Sequence, residues 1–237
     1  MNFLEAGPPV RIKICGITTQ GDASMAIDAG ADALGFNFFR GSRRFISLEE
    51  NRSWIASLVG QAFRVAVVVN ATMEELTALR ESGCFEAVQF HGTESPELCA
   101  TIGFPIWIRA VRVQGEDSLA QALQFNTPNL LLDAWSDASY GGTGRNVDWT
   151  SAARFAAAQP SRRLILAGGL NPGNVGNAIR AVRPHAVDVA SGVESSPGRK
   201  DIRRTRDFVR AVRESLSSDH VPAVEGALSG GNNATNR

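Results

Sequence analysis

Short apolar runs rich in β-branched residues alternate along the chain with longer stretches whose apolar positions recur at helical spacing. The short runs fall near 10–14, 32–38, 63–69, 86–90, 105–111, 129–133, 162–167 and 186–190. Between them the spacing predicts helices over 20–29, 48–58, 73–82, 95–102, 116–124, 149–158 and 173–182, with a last one over 202–216. Two helix starts carry their own signals: Thr72 has Glu75 at the capping-box offset, and Ser95 precedes Pro96, which suits a first helical turn. Eight strand–helix alternations with no intervening linker predict an α/β fold, a single (β/α)8 TIM barrel over 1–216, rather than an open doubly wound sheet with fewer strands. The stretch 217–237 loses its period and turns to Ser, Gly and Asn, which predicts a flexible tail.

Composition narrows the partners. At 237 residues and 43% hydrophobic content the chain can bury one sizeable core. Lysine plus arginine and aspartate plus glutamate are both 24, so no surplus positive charge favours a nucleic-acid backbone. The segment MNFLEAGPPVRIK lacks the basic-then-apolar order of a signal peptide, and no uncharged stretch reaches bilayer-spanning length. A soluble, cytoplasmic protein without a membrane partner is expected. Cys15, Cys84 and Cys99 have neither CxxC spacing nor an even count, which argues for free thiols and against a disulfide framework or a zinc site.

In such a barrel the chemistry gathers at the C-terminal ends of the strands, where the following loops converge. Those ends read Cys15-Gly16, Asn37 with the loop FFRGSRRF, Asn70, His91-Gly92, Arg109 with Arg112, Asp133, Gly168-Gly169 and Ser191-Gly192. Glycine-rich turns after the seventh and eighth strands, AGGLNP and ASGVESSPG, can present backbone N–H groups to a phosphate. YGGTGR adds a third loop, with Gly141, Gly142, Gly144 and the Thr143 hydroxyl. Either pair of glycines alone is equally a tight turn before a helix; three such loops together point to a phosphorylated small molecule.

Cys15 has two readings from position: a thiol beside Lys13 that titrates near neutrality and moves a proton, or a small buried hydrophobe. Asp133 ends the uncharged run NLLLD, where an apolar setting keeps a carboxyl protonated for general-acid use; the alternative is a turn-capping aspartate. Arg43 and Arg44, near Phe39 and Phe45, can clamp a carboxylate beside an aromatic ring, or can be solvated charge. His91 has no second ligand at metal spacing, so it is expected to hydrogen-bond within its loop. Asp188 either orients a loop or ligand or hydrogen-bonds in the core, and Asn37 is a possible supporting residue.

Taken in order, KICGIT, GADALGFNFFRGSRRFIS, VVVN, VQFHG, LLLDAW, YGGTGRNVDW, LAGGLNPGNV and VDVASGVESSPGRKD resemble the phosphoribosylanthranilate isomerases of tryptophan biosynthesis, from about Arg11 to about Phe208. The chain differs from the usual family pattern at Phe90, where leucine is commoner, and in FRGSR, where a YPKSP-like loop is more usual. The resemblance implies an Amadori rearrangement of N-(5-phosphoribosyl)anthranilate to 1-(2-carboxyphenylamino)-1-deoxyribulose 5-phosphate. It implies Cys15 as general base, Asp133 as general acid and Arg44 on the anthranilate carboxylate, with the phosphate on Gly141, Gly142, Thr143, Gly144, Gly168, Gly169, Ser191 and Gly192. No metal or organic cofactor is expected, since the substrate nitrogen is its own electron sink. The assembly is expected to be a monomer or homodimer. A metal-dependent sugar-phosphate epimerase would need paired histidines and carboxylates at strand ends, and the related isomerase of histidine biosynthesis would carry aspartate in place of Cys15. A non-catalytic phosphate-binding barrel would need neither Cys15 nor Asp133.

Overall fold

The computed structural model describes residue 3 and residues 10–113, 116–134 and 149–217. Eight strands stand where the apolar runs predict them: β1 (Arg11–Cys15), β2 (Ala33–Asn37), β3 (Phe63–Val68), β4 (Ala87–Phe90), β5 (Trp107–Val113), β6 (Asn129–Ala134), β7 (Arg163–Leu166) and β8 (Ala186–Val189). Each pairs in parallel with the next, and β8 pairs with β1, so the sheet closes into the expected barrel. Helices α1 (Gln20–Ala29), α2 (Leu48–Ala56), α3 (Met73–Glu81), α4 (Pro96–Thr101), α5 (Glu116–Ala122), α6 (Trp149–Ala158), α7 (Val175–Val182) and α8 (Ile202–Ser217) follow their strands. The expected tail beyond α8 lies outside the described residues.

Because strand side chains alternate faces, each strand feeds two apolar layers. In β3, Phe63, Val65 and Val67 enter the barrel interior, while Ala66 and Val68 join the layer under the helices. Phe3, from a segment without a predicted role, closes the lower end of the interior: it is buried, with its ring centroid 5.8 Å from that of Phe63. The same alternation turns Arg109 outward, away from the mouth. It donates to Glu94 at 2.8 Å and stacks 4.4 Å over the Phe125 ring.

Both helix-start signals hold. The Thr72 hydroxyl accepts from the Glu75 N–H while the Glu75 carboxylate accepts from the Thr72 N–H, and Ser95 accepts from the Leu98 N–H. Two boundaries shift for physical reasons. β5 begins at Trp107, two residues past Pro105, whose missing N–H cannot join a ladder. α7 begins at Val175 because Asn171 and Asn174 first close a side-chain turn, with Asn171 Oδ1 accepting from Gly173 and Asn174 Oδ1 accepting from Asn171. One feature lacks a sequence forecast: after β8, a 3-10 turn leads into an antiparallel hairpin of β9 (Glu194–Ser196) and β10 (Arg199–Lys200), reversed at Gly198 with φ 84°.

The capping box gives a local test. Thr72→Ala is expected to lower stability by about 1 kcal/mol, read as a lower urea midpoint at unchanged slope.

Candidate active site

Where the inward positions of the strands reach the C-terminal mouth, apolar side chains give way to polar ones. Cys15, Asn37, Gln89, His91, Asp133 and Asp188 face one cavity, with Arg44 and the turns at Gly168, Gly169 and Ser191 completing its wall. Around the rim, Asp133 on β6 and Cys15 on β1 flank the turns after β7 and β8, and Arg44 stands beyond Cys15 on the loop after β2.

Cys15 keeps part of its surface open to the mouth, while its Sγ packs deeply beside Lys13 and Asp188. Burial pushes the thiol up from its ordinary value, and Lys13 pulls it back. The opposing effect of Asp188 and the second ammonium, Lys200, follow in importance. The free thiol is therefore shifted away from the near-neutral titration that one of its two positional readings called for. Beneath it, Gly35 has no room for a side chain: a Cβ there would stand 2.8 Å from Cys15 Sγ and 3.0 Å from Lys13 Nζ.

Arg44 is held rather than solvated. Its Nε and Nη2 donate to the two oxygens of Glu194 at 2.8 and 2.7 Å, and its stem lies over Gly16, where a Cβ would meet Arg44 Cδ at 2.3 Å. Lys200 donates to the same Glu194 at 2.9 Å and to the Cys15 carbonyl at 2.6 Å. Burial alone would raise the Glu194 carboxyl, but the hydrogen bonds of Arg44 and the charge of Lys200 hold it below the ordinary range. Glu194 and Lys200 escape a sequence reading, because the short hairpin that carries them has only ESS and RK to announce it. Asn37 supports the Arg44 loop: its amide donates to Ser42 Oγ at 3.1 Å, its carbonyl accepts from the Phe39 N–H, and Ser42 Oγ also accepts from the Arg44 N–H.

His91 does more than bond within its loop. Its Nδ1 lies 3.0 Å from Gln89 Nε2 and its Nε2 lies 3.2 Å from Asp133 Oδ2. With Gln89 donating, the neutral ring donates to a carboxylate at Asp133. Turning the Gln89 amide reverses the chain, so that the ring accepts from a protonated Asp133. Either way the carboxyl is fixed in orientation.

The turns after β7 and β8 fit an anion. Gly168 and Gly169 have φ of 85° and 66°, and the Gly169 carbonyl is tied back by Asn174 Nδ2 at 2.9 Å. A Cβ on Gly192 would stand 2.0 Å from the Leu170 carbonyl oxygen, so only glycine lets the two turns touch. Among the described residues, no hydrogen bond occupies the N–H groups of Gly168, Gly169, Ser191 or Gly192. The expected loop partners Gly141, Gly142, Thr143 and Gly144 lie outside the described residues.

Such a wall suits proton transfer on a small anionic molecule, the pattern of an acid–base enzyme built on a (β/α)8 barrel. Comparison with known proteins makes the assignment specific. The family model for N-(5'phosphoribosyl)anthranilate (PRA) isomerase matches residues 12–211. An N-(5'-phosphoribosyl)anthranilate isomerase of Pelobacter propionicus is 41% identical over 208 residues, covering 88% of this chain and 98% of its own. That of Geobacter metallireducens is 44% identical over 204 residues, covering 86% and 99%. The crystal structure of the phosphoribosyl anthranilate isomerase from Thermotoga maritima superposes with a TM-score of 0.79 at 40% identity, covering 87% of this chain and all of that one. This chain belongs to the N-(5'-phosphoribosyl)anthranilate isomerase family.

The three thiols should react unequally. Cys84 and Cys99 are fully buried, and burial pushes Cys99 up to about 12. Iodoacetamide on the folded protein should modify Cys15 alone, faster as pH rises above the ordinary thiol range, with peptide mass spectrometry locating the adduct.

Proposed function

We propose that the cavity holds N-(5'-phosphoribosyl)anthranilate with its phosphate on the turns after β7 and β8, Asp133 at the ribose ring oxygen, Cys15 at C2′ and the anthranilate carboxylate toward Arg44. The family relationship supplies the reaction: the enzyme is an isomerase of tryptophan biosynthesis that converts an aminoaldose phosphate to the corresponding aminoketose phosphate. One solved phosphoribosyl anthranilate isomerase, 39% identical with a TM-score of 0.74, is in complex with reduced 1-(o-carboxyphenylamino)-1-deoxyribulose 5-phosphate, a phosphorylated relative of the product.

The observation that carries the residue roles is the presence of the Cys15 thiol and the Asp133 carboxyl on a single cavity, either side of the open N–H groups, while the second carboxyl there, Asp188, is paired with Lys13. Asp133 gives its proton to the ring oxygen as the C1′–O bond breaks, and the anthranilate nitrogen supplies its lone pair to form the imine. The Cys15 thiolate then takes the C2′ proton. The C–H electron pair becomes the C1′–C2′ double bond, the nitrogen regains its lone pair, and the enolamine yields the ketone when C1′ is protonated and the C2′ hydroxyl gives up its proton. Backbone N–H groups serve the phosphate because they neither titrate nor move.

Arg44 reaches the ligand with Glu194 behind it. The bidentate pair uses Nε and Nη2, which leaves Nη1 for a carboxylate. Lys200 offsets the charge of Glu194, so the trio keeps one net positive charge.

Cys15→Ala and Asp133→Asn should each lower turnover by at least about a hundredfold, measured as loss of phosphoribosylanthranilate fluorescence. Near wild-type turnover in either variant would refute its role. Arg44→Ala should instead act mainly on KM, raising it by about tenfold to a hundredfold, the scale of a lost charge-assisted hydrogen bond.

A further inference from the structure

Lys13 has no obvious place in substrate binding, yet it is among the most buried large side chains in the protein, with no measurable exposure. An ammonium without water persists only where an anion faces it. One anion is Asp188, which stands opposite Lys13 in the β1–β8 register and accepts a hydrogen bond from its ammonium at 2.8 Å. The second candidate is the sulfur of Cys15. It lies on the same face of the same strand two residues on, and both atoms come within 3.0 Å of the point a Gly35 Cβ would occupy.

We propose that the Lys13 ammonium is the counter-ion of the Cys15 thiolate, and that Asp188, by sharing this ammonium, sets the pH at which the thiolate forms. Lys13 and Asp188 are then positioning residues for proton abstraction, acting through the sulfur.

Among the described residues, the other charges near the sulfur act on it less directly than Lys13, Lys200 included. From β10, Lys200 gives its hydrogens to Glu194 and to the carbonyls of Cys15 and Ala190. From the loop after β2, Arg44 is clamped by Glu194. The β2 neighbour of Cys15 is Gly35, which carries no charge. That leaves Lys13 and Asp188 as the pair whose balance the sulfur feels most directly. Burial is the largest influence on the lysine and pulls it down, yet its net shift is upward, with Asp188 first among the groups that raise it and Cys15 next.

The inference rests on Cys15 being the base, and the experiment separates the two ideas by titrating the thiol without substrate. Alkylation of Cys15 by iodoacetamide is followed against pH in the wild type, Asp188→Asn and Lys13→Met, alongside kcat/KM over the same range. Removing the competing carboxylate should move the alkylation midpoint down by about one pH unit, and removing the ammonium should move it up by about one or more. A pair that served only barrel stability would alter the melting temperature and leave the midpoint in place. Asp188→Asn nearly preserves shape, so it decides alone if Lys13→Met does not fold: an unmoved or raised midpoint overturns the proposal. If the midpoint moves as expected while the pH limb of kcat/KM stays fixed, the pairing stands and the assignment of Cys15 as base falls.

Discussion

A parallel barrel must close on itself, and the seam between its first and last strands is where this chain places its most demanding interaction. At the β1–β8 seam, Lys13 and Asp188 face each other in register and form an ion pair almost without solvent. Two isolated charges at that depth would each cost several kcal/mol, so each is tolerable only because the other is there. The pair thus ties closure of the barrel to the electrostatics of its mouth.

A second set of constraints acts through the loops, by contact rather than charge. Arg44 crosses Gly16, the turn after β8 presses Gly192 onto Leu170, and the thiol and ammonium share the space above Gly35. At each of these places a methyl group would force backbone or a charged side chain aside. Glu194 then links the two sets: it lies in the hairpin after β8, accepts from Arg44 after β2, and accepts from Lys200, which also holds the carbonyl of Cys15. Motion of any one of these loops would be felt by the others.

The sequence made the architecture legible because short apolar, β-branched runs repeated eight times with helical spacers have few other solutions. It also pointed to Cys15, Asp133, Arg44 and the glycine turns, which share one cavity wall except for the stretch from Gly141 to Gly144, outside the described residues. What escaped was long-range pairing. Nothing local marks Glu194 as the partner of Arg44, 150 residues away, or Asp188 as the partner of Lys13, 175 residues away. His91 looked like a loop residue because its partner, Asp133, lies on a strand two positions around the barrel. Phe3 was invisible for a similar reason: only closure gives the barrel a lower end for it to fill.

Of the two positional readings of Cys15, the structure bears on the activated thiol. A thiol next in sequence but one to a lysine reads as activated, yet burial outweighs the lysine here, and the thiol rests above its ordinary value. Depth and activation pull in opposite directions, because the same exclusion of water that penalises the thiolate also strengthens its attraction to a nearby ammonium. An exposed cysteine would ionise without help, but it would also react with any passing electrophile. With its sulfur packed beside a buried, shared counter-ion, Cys15 holds its proton above the ordinary thiol range. The barrel interior can hold such an arrangement because β1 and β8 are locked side by side, which keeps the ammonium between carboxylate and sulfur without any loop having to close.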